Sequence, residues 1–357
     1  MAALQFRADI DLATATLAAV EAAVESGSPR FGRPHLGASQ IGGPCDRALW
    51  YAFRWASDGD ADGRLLRLFA RGQREEDSLA RLLWKAGMEV VQSDPATGEQ
   101  YRFSAIGGHF GGSMDGAVHG LPESTKWHVV EFKTHSLKSF NDLAKKGVEA
   151  SKPQHYAQMQ CYMGWTGMER ALYVAVCKDD DRLHLERIRY DDAVFKRLMN
   201  KAARIIEAAN PPDRISTDPE WHQCKWCDYR AMCHTTEVIP TAHCRTCLHA
   251  TPELDGNARW HCARHRKDLT VAEQRAGCQA HRYIPSLLWW AEALDASEED
   301  NWIRYRINET EAEFVNGAPP NGYTSDELAS CTDKSILAAP VVMALRTDLD
   351  ATIVRGA

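Results

Sequence analysis

The chain has 357 residues, 44% hydrophobic and 25% charged; it is long enough for about two domains and of ordinary globular make-up, which excludes a disulfide-stapled miniprotein or a disordered polymer. No apolar run approaches the roughly 18 residues a membrane span needs, and the net charge of −7 argues at first against a nucleic-acid partner. That charge is unevenly placed: residues 291–357 carry 13 acids against 5 bases, and the stretch from Lys126 to Lys152 is locally basic.

The Ala-rich stretch Ala8 to Ser26, with Asp9, Asp11, Glu21 and Glu25, predicts an amphipathic helix and does not suit an export signal, so a cytoplasmic protein is expected. Asp58-Gly-Asp60-Ala-Asp62-Gly63 opens like a calcium loop but places Phe69 where a bidentate Glu is required, and it is taken as a solvated loop. Apolar residues from Leu65 to Leu83 recur at helical intervals, and Val90 to Val118 reads as short strands broken by glycines. A strand is expected at Trp127 to Lys133, a helix at Gln154 to Met163, strands at Ala171 to Cys177 and Leu183 to Tyr190, and a helix at Asp191 to Ala209. This order gives a mixed α/β domain. A Cys- and His-rich segment follows from about residue 221, its order dependent on bound metal. The tail from Ala291 is expected to hold a helix and a hairpin through Asn316-Gly317 and Asn321-Gly322.

The chemistry concentrates in Asp115, in Gly-Ser-Met-Asp-Gly, and in Val129-Val130-Glu131-Phe132-Lys133, with 15 residues between Asp115 and Glu131. Residues two apart on a strand share a face, so Glu131 and Lys133 point together and Val130 and Phe132 point oppositely. If the strand of Asp115 pairs with this one, two carboxylates converge on a hard cation such as Mg²⁺. Such an ion polarises a phosphate oxygen, and Lys133 positions or deprotonates the attacking water or offsets charge. The alternative is an exposed Glu131–Lys133 ion pair with Asp115 in a turn. Glu76 stands on the helical face of Leu65, Phe69, Ala80 and Leu83, where a buried acid needs a partner; Glu75 is its rival, and pairing with Arg74 or Arg81 the alternative. Gln154, Gln158 and Tyr162 fall at i, i+4 and i+8, one stripe of hydrogen-bonding groups that could hold DNA backbone or brace the lysine.

Gly72-x-x-x-Glu76, Asp115, Glu131-x-Lys133 and Gln158-x-x-x-Tyr162, in this order, resemble the RecB-type and phage lambda-type exonuclease branch of the PD-(D/E)XK nucleases over roughly residues 40–235. Met114 stands where the family name has proline. The resemblance implies a restriction-endonuclease-like core, a central mixed sheet flanked by helices. It also implies Mg²⁺ (or Mn²⁺) held by Glu76, Asp115, Glu131 and the Phe132 carbonyl, a catalytic Lys133, and Gln154, Gln158 and Tyr162 at the DNA side.

Eleven cysteines in a chain with no export signal point to metal ligation more than to disulfides. Cys224, Cys227 and Cys233 form C-x2-C-x5-C, with Cys45 a distant fourth candidate, and four thiolates suit zinc or a [4Fe–4S] cluster. The arrangement resembles the iron–sulfur RecB-like nucleases, including AddB, which implies a structural [4Fe–4S] cluster clamping the two ends of the domain. A zinc ribbon using His222 or His234 is the alternative. Cys244, Cys247, Cys262 and Cys278 suit a closed structural zinc site, with His265 or His281 able to replace one cysteine. Arg245, Arg259, Arg264, Arg266 and Lys267 in this segment could touch DNA, although a folding staple fits a short region better.

The domains expected are a helical segment at 1–36, the nuclease domain closed by its iron–sulfur cluster at 37–235, a Cys/His-rich zinc module at 236–290 and an acidic tail at 291–357. The absence of a phosphate-loop motif argues against an ATP-driven helicase. The function expected is a metal-dependent DNA exonuclease acting on double-stranded ends in phage or mobile-element recombination, with an annealing protein as partner and no membrane contact. The competing class is a non-catalytic binding module on a degenerate nuclease fold, and a third is redox sensing through the cluster.

Overall fold

The computed structural model describes residues 13–27, 32–57, 62–236 and 238–354. The expected helix start at Ala8, together with Asp58 and Asp60 of the acidic loop, lies outside the described residues. The first part runs α1 (Thr14–Ser26), β1 (Leu36–Gly37), α2 (Asp46–Phe53), α3 (Gly63–Lys85), β2 (Glu89–Val91), β3 (Arg102–Ala105), β4 (Phe110–Ser113), β5 (Gly116–His119), β6 (His128–His135), α4 (Leu137–Ser151), α5 (Pro153–Thr166), β7 (Arg170–Cys177), β8 (Leu183–Arg189), α6 (Asp192–Glu207) and α7 (Arg230–His234). The remainder comprises β9 (Ala250–Pro252), β10 (Trp260–Cys262), β11 (Lys267–Leu269), α8 (Val271–Ala276), β12 (Ala291–Ser297), β13 (Trp302–Ile307), β14 (Glu313–Asn316), α9 (Ser325–Ser330) and α10 (Pro340–Leu349).

The central sheet has the order β2-β5-β6-β7-β8, with β6 and β7 parallel and the other pairs antiparallel. Parallel neighbours need a crossover, and α4 and α5 supply it. Val130 and Phe132 of β6 pack with Leu172, Val174 and Val176 of β7 beneath Leu79, Ala80 and Leu83 of α3. The other face carries Val129, Ala171, Tyr173 and Ala175 against Leu143 of α4, Ala157 and Cys161 of α5, and Ala202, Ile205 and Ile206 of α6. The architecture is therefore a mixed α/β core with helices on both faces of the sheet, as expected.

Local chemistry sets the helix ends. Asp62 caps α3 by accepting from the Leu65 amide at 2.6 Å, and Asp191 caps α6 through the Ala193 and Val194 amides. Gly147 breaks α4 at φ 75°, a conformation only glycine takes freely, and the Val148 amide freed there donates to the Glu186 carboxylate. α1 lies along α3 through a Glu21–Arg67 ion pair, with Leu17 and Val20 left exposed.

The Cys-rich region forms an antiparallel sheet of order β11-β10-β9 whose apolar residues join the main core. Arg245 is the peg between them. It is 1% exposed, donates to the carbonyls of Phe53 and Pro34 and to Gln274 Oε1, and stacks 3.5 Å from the Trp55 ring centroid. This removes Arg245 from the basic residues that could touch DNA: a planar cation that fills an aromatic slot has no access to phosphate. Arg259 is likewise engaged, by Asp255 and Asp268.

The C-terminal stretch is also corrected. The tail does hold helices, α9 and α10, but its hairpins lie elsewhere: residues 291–316 form an antiparallel sheet of order β12-β13-β14, and its turns fall at 298–301 and 308–312. The left-handed residues there are Asn301 and Glu311, while Asn316 spends its side chain on Tyr283, Tyr323 and Ser325. Arg346 of α10 pairs with buried Glu327 of α9, tying the end of the chain to this sheet.

Replacing Arg245 with Ala orphans the buried Phe53 carbonyl and Gln274 side chain, removes the bond to Pro34 and empties an aromatic slot, which should cost about 3 kcal/mol or more. Urea unfolding measures this; a change under about 1 kcal/mol, within the range of an ordinary surface substitution, would contradict the peg.

Candidate active site

The β5–β6 ladder runs from Val118↔His128 to Gly116↔Val130 and stops one residue short of Asp115. There the Asp115 carboxylate takes over, accepting from the Phe132 amide at 2.9 Å. Glu131 and Lys133 share one face, as strand alternation requires. Lys133 Nζ donates to Glu131 Oε1 and, at 3.1 Å, to the Phe132 carbonyl, and it lies 4.0 Å from Asp115 Oδ2. Glu131 is fully buried, and its second oxygen, Oε2, is sealed from solvent with no hydrogen-bond partner.

Crowding of like charge follows. Burial and the nearby Asp115 push the Glu131 carboxyl up to about 8 against the pull of Lys133. Burial and Asp115 push half-buried Glu76 up to about 7. Burial alone would lower Lys133, but Glu131 and Asp115 outweigh it and hold the ammonium protonated. An orphaned buried carboxylate oxygen beside two further acids is a donor set that calls for a cation, and oxygen ligands suit a hard divalent ion.

Glu76 and Lys133 line a cleft of about 800 Å³ together with Glu75, Phe132, Lys152, His135 and His155 among others, and Asp115 and Glu131 lie behind that wall. The helical stripe divides. Gln154 is exposed, whereas Gln158 and Tyr162 are buried, and the Tyr162 hydroxyl donates to the Ser113 carbonyl at 2.6 Å. It reaches that carbonyl past Gly112, where a Cβ would lie 2.7 Å from the hydroxyl. Tyr162 thus braces the backbone just before Asp115. His135, His155 and Tyr173 carried no motif and escaped sequence reasoning; the one available signal was the place of His135 two residues beyond Lys133 on the same strand face.

A profile of the PD-(D/E)XK nuclease superfamily matches residues 37–234, more than half of the chain. The chain belongs to that superfamily. Nucleases of this superfamily generally use divalent metals such as Mg²⁺. Solved structures similar to this nuclease-superfamily chain include an alkaline exonuclease (LHK-Exo) from Laribacter hongkongensis, at 20% identity over 53% of this chain and 90% of that one, TM-score 0.35. SSO0001 matches at 16% identity over 62% and 96%, TM-score 0.39. A phage related exonuclease from Haemophilus somnus 129PT matches at 15% identity over 38% and 69%, TM-score 0.27. No curated protein matches the sequence.

The cysteines form no disulfide. Cys45, Cys224, Cys227 and Cys233 line one small cavity together with His234, so the fold brings residues about 180 positions apart to one place. Cys244, Cys247, Cys262 and Cys278 line a second cavity of about 480 Å³ with His265 and His281. His265 Nε2 stands 3.5 Å from Cys278 Sγ, while buried His281 is engaged with Thr246 at 3.2 Å. Burial, with neighbouring thiols adding to it, raises Cys244 to about 12. Among the described residues no group of three or more His, Cys, Asp or Glu side chains stands in ligand geometry for a metal ion, and no helix is long and apolar enough to cross a membrane.

The raised carboxyls carry a pH signature. A group whose folded pKa lies above its unfolded value stabilises below the unfolded value and loses that contribution as pH rises through the folded one. Metal-free protein should therefore lose stability between about pH 4.5 and about pH 8. Urea unfolding in chelator checks this: Glu131→Gln should gain on wild type as pH rises, and an unchanged difference across the window would contradict the crowding.

Proposed function

We propose that the chain is a divalent-metal-dependent DNA nuclease acting as an exonuclease on double-stranded ends. The observation that supports it most is the buried, unpartnered Glu131 oxygen beside Asp115 and Lys133 at the edge of an open cleft. Glu76, Asp115, Glu131 and the Phe132 carbonyl would hold Mg²⁺ or Mn²⁺. When bound, such an ion polarises a phosphate oxygen and acidifies a water. Lys133, kept protonated by its two acids, acts as a donor and offsets the charge that builds on the phosphate. Asp115 fixes the strand end by its bond to the Phe132 amide. Gln158 and Tyr162 brace that end from within, and exposed Gln154 faces the DNA side.

In the same reading the nuclease domain spans 37–235, and Cys45, Cys224, Cys227 and Cys233 carry a structural [4Fe–4S] cluster clamping its two ends. Cys244, Cys247, Cys262 and Cys278 hold zinc within a 236–290 module. Two features favour an anionic, four-thiolate site there. Arg54 and Arg245 are both buried beside these cysteines with no carboxylate partner among the described residues, and burial lowers both guanidiniums; a negatively charged zinc–thiolate knot would supply the missing counter-charge. The single-stranded tails produced would pass to an annealing protein in phage or mobile-element recombination.

Lys133→Ala should cut Mg²⁺-dependent cleavage of end-labelled linear DNA by about 100-fold or more while leaving DNA binding in place. Cleavage at the wild-type rate by this variant would remove the proposed role. Protein purified without oxygen should be brown and contain iron as well as zinc, and Cys45→Ala should lose the iron alone; a colourless zinc-only preparation would favour a ribbon at both sites.

A further inference from the structure

The cleft beside Glu76 and Lys133 is also lined by His135, Ser139 and His155, which the reading above leaves without a role. His135 ends β6, Ser139 lies in the first turn of α4, and His155 lies in the first turn of α5. Tyr173 of β7 joins them. Its hydroxyl lies 2.8 Å from His135 Nε2 and 2.8 Å from His155 Nδ1, and His135 Nδ1 lies 3.0 Å from Ser139 Oγ. The His155 and Tyr173 rings are stacked, with centroids 5.8 Å apart and planes at 25°.

A phenol has one proton, so Tyr173 donates to one ring and must accept from the other. Burial, reinforced by Lys152 and Lys133, keeps both imidazoles neutral, so each carries a single N–H and the chain can run in only two senses. In one sense Ser139 donates to His135, His135 to Tyr173, and Tyr173 to His155 Nδ1, which places the remaining proton on His155 Nε2. In the other sense every bond reverses and Nε2 is a bare acceptor. Among the described residues that Nε2 has no protein partner, and it is not sealed from solvent. It therefore opens to the cleft, whose walls also carry Lys133 and Lys152. Phosphodiester oxygens only accept hydrogen bonds, so a DNA strand in the cleft selects the first sense.

We propose that His155 Nε2–H is a phosphate-binding donor for the backbone of the DNA strand in the cleft, its tautomer fixed by the Ser139–His135–Tyr173 chain behind it. This rests on the nuclease reading of the cleft. His155 touches the substrate; Tyr173 and His135 are positioning residues.

Steady-state cleavage of an end-labelled duplex in Mg²⁺ tests it with wild type, His155→Leu, His155→Gln, Tyr173→Phe and the His155→Leu/Tyr173→Phe double variant. Loss of a hydrogen bond to a charged group should raise KM about tenfold or more in His155→Leu, with a smaller change in kcat. His155→Gln, whose amide N–H can stand near the Nε2 position, should recover most of the loss. Tyr173→Phe should raise KM about threefold and add nothing in the double variant, since the tyrosine acts through the histidine. An unchanged KM in His155→Leu, or Tyr173→Phe multiplying fully with it, overturns the proposal. If His155→Leu does not fold, a KM in Tyr173→Phe equal to wild type overturns it instead. A wild-type protein that cuts no DNA fails the nuclease reading itself, whereas a cutting wild type indistinguishable from His155→Leu fails the donor alone.

Discussion

Three carboxylates and one ammonium are forced together on β6 where its ladder with β5 ends, and the cost of that crowding governs the molecule. The pairing register of β5 and β6 brings Asp115 level with the end of the ladder, where its side chain replaces a backbone acceptor for the Phe132 amide. Strand alternation then fixes Glu131 and Lys133 on one face. A single lysine cannot satisfy both Glu131 and Asp115 in a buried setting: one Glu131 oxygen stays unpartnered, and the Glu131 and Glu76 carboxyls are displaced upward in pKa. A fold that keeps such an arrangement gains little stability from it. The same crowding is what a divalent cation relieves.

The surroundings hold this edge rigid. Tyr162 anchors the Ser113 carbonyl immediately before Asp115, while α3 carries Glu76 over the opposite face and buries Leu79, Ala80 and Leu83 beneath it. Farther away, Arg245 pins the Cys-rich sheet to the end of α2 and to Pro34, next to Arg33 on the cleft wall. The Cys-rich and C-terminal sheets share the core cluster of the mixed α/β region, so their order and that of the cleft's N-terminal wall are mechanically linked.

Features set by local periodicity were legible in the sequence. The shared face of Glu131 and Lys133 follows from strand alternation, and the elements carrying Leu83, Val174 and Ile205 follow from apolar spacing. Non-local chemistry was not legible. The Ser139–His135–Tyr173–His155 chain joins four elements through bonds that no spacing announces. Arg245 reads as surface charge until the aromatic slot of Trp55 and Trp260 is assembled around it. In the C-terminal sheet the Asn-Gly pairs read as turns, but Asn301 takes the left-handed position and is held there by His249 and the Ala280 carbonyl. Tertiary hydrogen bonds outweighed turn propensity.

The proposed cation site is open to direct measurement. Mn²⁺ titrated into the chain and followed by electron paramagnetic resonance should show bound ion in the wild type and clearly weaker binding in both Asp115→Asn and Glu131→Gln. Equal Mn²⁺ affinity in all three proteins would mean that the carboxylates where the β5–β6 ladder ends do not hold a metal, and that their crowding serves something other than hydrolysis.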